Sequence, residues 1–363
     1  MRKIMYFVFI IVLTAAAIEI AGEKTSKSAE LSPPLYFCGE KVPLEDPDVY
    51  ERLEKQLLVF AWRQSQVILW MKRSGRYLPY IEKRLKENNM PDDLKYMAVV
   101  ESALLPHIGS SKSAVGFWQF IKPTGLRYGL QIDSEIDERR NIFKSTEAAI
   151  KYLKKLYEEF GSWSLAAAAY NMGEYGLASN IEFQKTNDFY HLYLPLETQD
   201  YVPGIIAAKM ILTDPATYGF HFEKNEAYSP DEFDYVKVEC AGETSLQLIA
   251  EAAGTYYKNI KELNPEFRQR YLSGGTYSVA VPKGAAKNFY DRYNALTAQE
   301  QPRKDTENTK PKEQKQIYVV KRGESITGIA EKLKIPVSDI LRWNGLNYNK
   351  PIHVGQRLVI YTD

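Results

Sequence analysis

Cysteine and histidine are scarce. The 363-residue chain has two cysteines, Cys38 and Cys240, and four scattered histidines, His107, His191, His221 and His353. None of them falls in a ligand-spaced cluster or in a His-Glu-x-x-His segment, so there is no basis for a structural zinc site or a zinc hydrolase, and no metal or other cofactor is expected. Charge of one sign is missing as well: 47 Lys and Arg face 46 Asp and Glu, for a net charge of +1. Without a basic surplus or a charged arm, nucleic acid is not an expected partner. Long hydrophobic runs are absent except at the start, where Arg2 and Lys3 precede an apolar run from Ile4 to Leu13 and the small residues Ala15, Ala16 and Ala17. That layout predicts a secretory signal peptide over residues 1–21, too short to span a bilayer of roughly 20 residues' thickness. Export to the periplasm or cell envelope follows, where Cys38 and Cys240 either pair or stay as two thiols. Phe37 in front of Cys38 argues against lipid attachment there. Aromatic residues are plentiful, at 13% with 26 tyrosines, a composition that suits recognition of a sugar or other polymer.

The mature chain divides by texture. Residues 22–88 read as an extended Pro-containing segment followed by a helical lead-in, with Leu53, Leu57, Phe60 and Leu69 at helical spacing. A new helix is expected from Pro91, with Asp92 and Asp93 in its first turn and Leu94, Met97, Ala98 and Glu101 along it. Ser145 is the expected N-cap of a helix that Gly161 ends, and an Ala-rich helix over Leu165–Ala169 comes next. Residues 89–215 therefore form a mainly α block of domain size. Short strands at Val236–Val238 and Tyr277–Val281 then flank a helical middle. An offset of 80 repeats the pattern, matching Ile249 with Ile329, Ile260 with Ile340, Asn264 with Asn344 and Val279 with Val359. The fold class is thus multidomain: a helical domain followed by two small α+β modules of βααβ order, at 235–283 and 317–361. Between them, residues 297–316 are mostly Gln, Lys, Glu, Pro and Thr with almost no apolar residue, which predicts a flexible linker.

Glu101 closes the apolar run Met97-Ala98-Val99-Val100. A carboxylate there is either solvated at a helix end or held in an apolar cleft, where desolvation raises its pKa toward neutrality and makes it a proton donor. Spacing alone favours the first. Downstream lie Gly116-Phe117-Trp118-Gln119-Phe120, then Thr124-Gly125-Leu126-Arg127-Tyr128-Gly129, then Ala168-Ala169-Tyr170-Asn171-Met172-Gly173, and Glu197-Thr198-Gln199-Asp200-Tyr201-Val202-Pro203. Together with the Glu101-Ser102 pair, these segments resemble, in the same order, the signatures of the soluble-lytic-transglycosylase domain, a goose-lysozyme-like glycosidase fold. Over residues 30 to 361 the chain is similar to the membrane-bound lytic murein transglycosylases, with terminal repeats that resemble LysM modules.

The resemblance implies an exported peptidoglycan lytic transglycosylase. Glu101 would be the single general acid/base, cleaving the MurNAc-β-1,4-GlcNAc bond without water and leaving a 1,6-anhydro sugar. One carboxylate suffices because the sugar's own hydroxyl, already placed beside the anomeric carbon, has a high effective concentration. Ser102, Ser113, Gln119, Tyr170, Asn171 and Tyr201 are the substrate-site candidates. Gln119 either lines the cleft between Trp118 and Phe120, where Trp118 could also line it, or is a surface amide. Tyr170 is a core residue or a cleft donor, and Tyr201 either packs beneath Glu101 or touches substrate. The last repeat matches a LysM module closely, with glycan contacts implied at Gly323, Glu324, Ser325 and Ile326 and at Asn344, Gly345, Leu346 and Asn347. The first repeat departs from that pattern at Pro265 and at Gly274-Gly275-Thr276, which leaves its sugar binding open. A hydrolytic muramidase on the same fold would need a second carboxylate from Glu174, Asp188 or Glu197. A catalytically inactive wall-binding scaffold would not need the full set. Peptidoglycan glycan strands are the expected partner, with peripheral association with the envelope.

Overall fold

The computed structural model describes residues 31, 33–307, 314–347 and 351–362, so the expected leader at 1–21 lies outside the described residues. Among the described residues no helix is long and apolar enough to cross a membrane. The chain divides into two compact units, residues 1–289 and 290–363.

Unit one opens with a hairpin, β1 (Leu35–Phe37) against β2 (Glu40–Val42). Helices α1 (Pro47–Trp62) and α2 (Gln64–Glu87) follow, then α3 (Lys95–Ser102), the short α4 (Lys122–Arg127), α5 (Ile142–Phe160), α6 (Trp163–Met172), α7 (Glu174–Gln184) and α8 (Leu196–Thr213). The centre is α8 with α6. Helix α6 is buried without a gap from Trp163 to Ala169, and α8 buries residues all round, from Thr198 to Ile211. A helix apolar on every face must be enclosed, and the alanines of α6 let its neighbours come close. Helix α8 accordingly packs against α1, α3 and α6.

The lead-in has a structural role that its sequence did not disclose. Helix α1 buries Val49, Leu53, Leu57 and Phe60, while the Glu40 carboxylate caps the start of α6, accepting from the Trp163 and Ser164 N–H groups and from the Ser162 and Ser164 hydroxyls. An anion on a helix N-terminus satisfies orphan N–H groups and complements the dipole. One hydrophobic core runs from Leu31 to Phe220, so the structure draws no boundary at residue 88.

The cap of α5 corrects the expectation. Asn141, not Ser145, caps it, accepting from the Phe143 and Lys144 N–H groups, and α5 starts a turn earlier than expected. Ser145 lies fully buried inside the helix, its hydroxyl donating to the Asn141 carbonyl at 2.7 Å. Asn and Ser cap comparably well, so the choice fell to burial, which needs the 145 position on the core face. Gly161 ends α5 with φ +70°, as expected. The Ala-rich helix runs from Trp163 to Met172, longer than Leu165–Ala169.

The first βααβ module lies in the same unit: β3 (Phe233–Ser245), α9 (Leu246–Ala252), α10 (Tyr257–Leu263) and β4 (Tyr271–Pro282). Its strands pair antiparallel, with a register shift between Cys240 and Glu243. Cys240 is buried here and Cys38 half-buried after β1, and both are free thiols. Helix α11 (Phe289–Glu307) leads into unit two, where β5 (Gln314–Val319), α12 (Ile326–Leu333), α13 (Val337–Trp343) and β6 (Arg357–Thr362) form the second module.

In each module one asparagine ties helix to strand. The Asn264 amide donates to the Ile260 and Ala280 carbonyls and accepts from the Ala280 N–H, each at 2.8 Å. Asn344 makes the same three bonds, to Ile340 and to Val359, at 2.9, 2.8 and 2.7 Å. Ala280, and not Val279, is thus the counterpart of Val359, because 16 positions separate Asn264 from its strand partner and 15 separate Asn344 from its own. The linker expectation also needs correction, since α11 carries residues 297–307 as helix. Ala, Gln, Glu, Arg and Lys are good helix formers, and lacking a core is no bar to a helix. Residues 308–313 lie outside the described residues.

Candidate active site

Glu101 sits one residue from the end of α3. The helix stops because Ala103 and Leu104 both take left-handed backbone, with φ +52° and +58°. The residue is half-buried. Burial raises its carboxyl pKa to about 7, the nearby Glu197 charge adds to the rise, and a hydrogen bond from Tyr201 opposes it. A proton donor for neutral pH needs a pKa near that value. The Tyr201 hydroxyl, on α8, donates to Glu101 Oε1 at 2.5 Å, and the residue is only 7% exposed. Of the two readings of Tyr201, the one beneath Glu101 describes this contact.

Tyr170 is carried by α6, where the Glu101 charge acts on it. Its hydroxyl donates to the Trp118 carbonyl at 2.6 Å, and its ring lies edge-on to Phe120 and beside Tyr152. Burial first and the Glu101 charge second push both tyrosine hydroxyls well above their usual pKa. They are fixed donors, not bases. Asn171 is oriented by Thr198, whose hydroxyl donates to Asn171 Oδ1 at 2.8 Å. That hydroxyl is thus directed at the amide oxygen, leaving the NH₂ end of Asn171 to serve as donor. Thr198 was legible as part of the Glu197–Pro203 segment, but only the fold shows its partner.

The loop from Ser113 to Phe120 bounds the site. Gln119 takes φ +48° and donates through Nε2 to the Gly116 and Ile108 carbonyls at 2.9 and 3.2 Å. Its amide thus holds the loop in shape, and the residue is half-buried. Trp118 does not line the cleft: it is fully buried, donating from Nε1 to the Thr146 hydroxyl at 3.0 Å. Ser102 is not a substrate contact either, because it is 4% exposed and its hydroxyl is directed at the Ala98 and Phe117 carbonyls. Helical spacing turns it inward from the face that carries Glu101. Ser113 is exposed at φ +61° on the same loop.

The candidate second carboxylates all have other partners. Glu174 accepts from Arg127 and from the Tyr152 hydroxyl. Asp188 caps the turn at Tyr190 and lies 3.3 Å from His191 Nδ1. Glu197 pairs with Lys112 at 2.8 Å with both side chains exposed. Among the described residues no group of His, Cys, Asp or Glu could hold a metal ion.

In the second module, Gly323 takes φ +85°. Glu324 is tied down by the Tyr318 hydroxyl, the Lys321 N–H and Lys332, which hold its pKa at about 2. Ser325 caps α12 through the Gly328 N–H. Ile326 and Leu346 pack on the small core. Gly345 takes φ +59°, and Asn347 is exposed beside it. The Asn344 side chain is committed to β6, which corrects its assignment as a ligand contact. An amide satisfied on both its oxygen and its nitrogen has no reason to turn outward.

Three family models match the chain: the Transglycosylase SLT domain over residues 79–193, a LysM-like domain described as that of lytic transglycosylase MltD over 232–298, and the LysM domain over 318–360. The chain is 30% identical over 331 residues to membrane-bound lytic murein transglycosylase D of Escherichia coli K12, covering 89% of this chain and 72% of that protein. Among solved structures it is similar to the lytic transglycosylase Slt of Pseudomonas aeruginosa, with 18% identity and a TM-score of 0.30, over 42% of this chain and 26% of that one. The 70 kDa soluble lytic transglycosylase of Escherichia coli matches at 16% identity and a TM-score of 0.32, over 56% of this chain and 40% of that one.

Proposed function

The chain belongs to the family of membrane-bound lytic murein transglycosylase D, and from that membership and the setting of Glu101 we propose that it cleaves the MurNAc-β-1,4-GlcNAc bond of peptidoglycan without water. Because Oε1 of Glu101 accepts from Tyr201, its proton resides on Oε2. That proton passes to the glycosidic oxygen as the bond to the anomeric carbon breaks, and the electron pair leaves with the GlcNAc hydroxyl. The carbonyl of the neighbouring N-acetyl group shields the charge left at the anomeric carbon. Oε2 then takes the proton of the muramic acid 6-hydroxyl while its oxygen bonds to the anomeric carbon. The product ends in 1,6-anhydro-MurNAc, and Glu101 is protonated again for the next cycle. The 6-hydroxyl is part of the bound sugar, so no group is needed to hold a water.

The observation that carries this reading is one carboxyl raised to about 7 beside two tyrosine donors, while Glu174, Asp188 and Glu197 are each paired elsewhere. A glycosidase that uses water needs two carboxyl groups placed across the bond, which this arrangement does not favour. Gln119, Asn171 and Ser113 would contact sugar hydroxyl and acetamido groups. The second module would hold glycan strands at its 323–326 and 345–347 loops and keep the catalytic unit near an insoluble substrate. A leader over residues 1–21 would deliver the protein to the periplasm or cell envelope. In the test, Glu101→Gln abolishes release of soluble fragments from isolated peptidoglycan while still sedimenting with it. Wild-type release by this variant would refute the assignment, and a wild type that binds but releases nothing would leave an inactive scaffold.

A further inference from the structure

The first module is attached to the catalytic helices through its 264–270 loop. Phe267 forms an antiparallel bridge with Ile136, the Asp137 N–H donates to the Glu266 carbonyl at 2.9 Å, and the Arg268 N–H donates to the Glu135 carbonyl at 2.6 Å. Gln269 Nε2 donates to the Ser134 carbonyl and Asn141 Nδ2 to Glu266 Oε1, both at 2.9 Å. Ile136, Phe267 and Glu266 are 5%, 4% and 8% exposed, so the centre of the contact is closed to solvent, while Ser134 and Arg268 at its edge are exposed.

What this loop grips leads to the active site. The Asp137 carboxylate takes a bidentate pair of bonds from Arg139 Nε and Nη2, at 2.8 and 2.9 Å. Arg139 Nη1 then donates to the carbonyls of Ser113 and Phe120, at 3.1 and 3.0 Å, one at each end of the active-site loop. Between those ends, Phe117 and Trp118 offer the carbonyls on which the Ser102 and Tyr170 hydroxyls rest. The loop is also seated on the Arg139 backbone: a Cβ on Gly116, whose φ is +83°, would lie 1.9 Å from the Arg139 carbonyl oxygen. A planar guanidinium with fixed donors is suited to such a clamp, and a lysine has no equivalent geometry.

We infer that Arg139 is a positioning residue for the Glu101 site, and that the first module belongs to the catalytic unit as its brace, holding Asp137 so that Arg139 keeps the 113–120 loop in place. The inference rests on the proposed lytic activity. Arg139→Met and Arg139→Lys in the full chain test it, using initial rates on soluble glycan strands and sedimentation with insoluble peptidoglycan. We expect Arg139→Met, folded by near-ultraviolet circular dichroism, to lose tenfold to about a hundredfold in kcat, as displacements of about 1 Å at a catalytic site do. KM changes less than threefold, sedimentation is unchanged, and Arg139→Lys falls in between. A general loss of stability would instead lower the folded fraction and leave the kcat of the folded molecules intact. Wild-type kcat in folded Arg139→Met, or a loss confined to KM, overturns the inference. If Arg139→Met does not fold, Phe267→Ala decides: reduced kcat in the folded protein supports the brace, and unchanged kcat overturns it. An inactive wild type in the same assay would refute the proposed function, whereas an active wild type with indifferent variants refutes the brace alone.

Discussion

Removing one oxygen from Tyr201 tests how the site sets the protonation of Glu101. In Tyr201→Phe the ring stays in the core and the donor to Oε1 is lost. That bond favours the ionised carboxylate, and it opposes the rise that burial and Glu197 cause. A hydrogen bond to a charged group contributes about 1.5–3 kcal/mol. At about 1.4 kcal/mol per unit, the pKa of Glu101 should climb by roughly one to two units from its value of about 7. The reaction starts from protonated Glu101, so kcat/KM of the wild type falls as pH rises through 7, and that alkaline limb should move upward in the variant. The plateau drops as well, by about tenfold, because Oε1 is no longer held and Oε2 loses its fixed aim. The assay is the pH dependence of initial fragment release at low substrate, with thermal unfolding as a check on folding. An alkaline limb that stays in place, or moves down, would refute the argument that Tyr201 stabilises the ionised form.

The raised pKa of Glu101 also has a cost in stability. Its folded pKa lies above the ordinary 4.5, so its contribution is fully present below pH 4.5 and lost as pH rises through about 7. Glu101→Gln should therefore unfold like the wild type at pH 4 and be more stable at pH 8, by at most about 3 kcal/mol, as read from denaturant midpoints. Glu197→Gln removes the charge that pushes Glu101 up, so the alkaline limb should shift down while activity persists; complete inactivation would instead mark Glu197 as a second catalytic acid. Asn264→Ala strips partners from a 1% exposed site and should cost about 2–4 kcal/mol, and Asn344→Ala, at a half-buried site, about 1–2 kcal/mol, both measured by chemical unfolding.

The sequence carried the element order well, because helix and strand periodicity and glycine stops are local signals. Gly161 ends α5 where its position promised, and both modules have their strands around paired helices. The misplaced features are those decided by burial or by distant partners. Ser145 makes as good a cap as Asn141 when only neighbours are considered, and the core face chose between them. Ser102 and Trp118 stand in motifs beside reactive positions, yet helical phase and loop shape turn both inward. Asn344 looked like a loop amide until its strand partner, 15 residues on, came into view. Glu101 was legible as a carboxylate ending an apolar run, but its partner Tyr201 is 100 residues away. Arg139 gave no local signal, since its clamp joins segments that meet only after folding.

The proposed reaction breaks the glycosidic bond without water. Purified protein is incubated with isolated peptidoglycan in ¹⁸O-labelled water, and the released muropeptides are weighed by mass spectrometry. Fragments ending in 1,6-anhydro-MurNAc, lighter than hydrolysis products by one water and free of label, are the predicted result. Reducing ends that carry ¹⁸O would contradict it and place the enzyme among the muramidases.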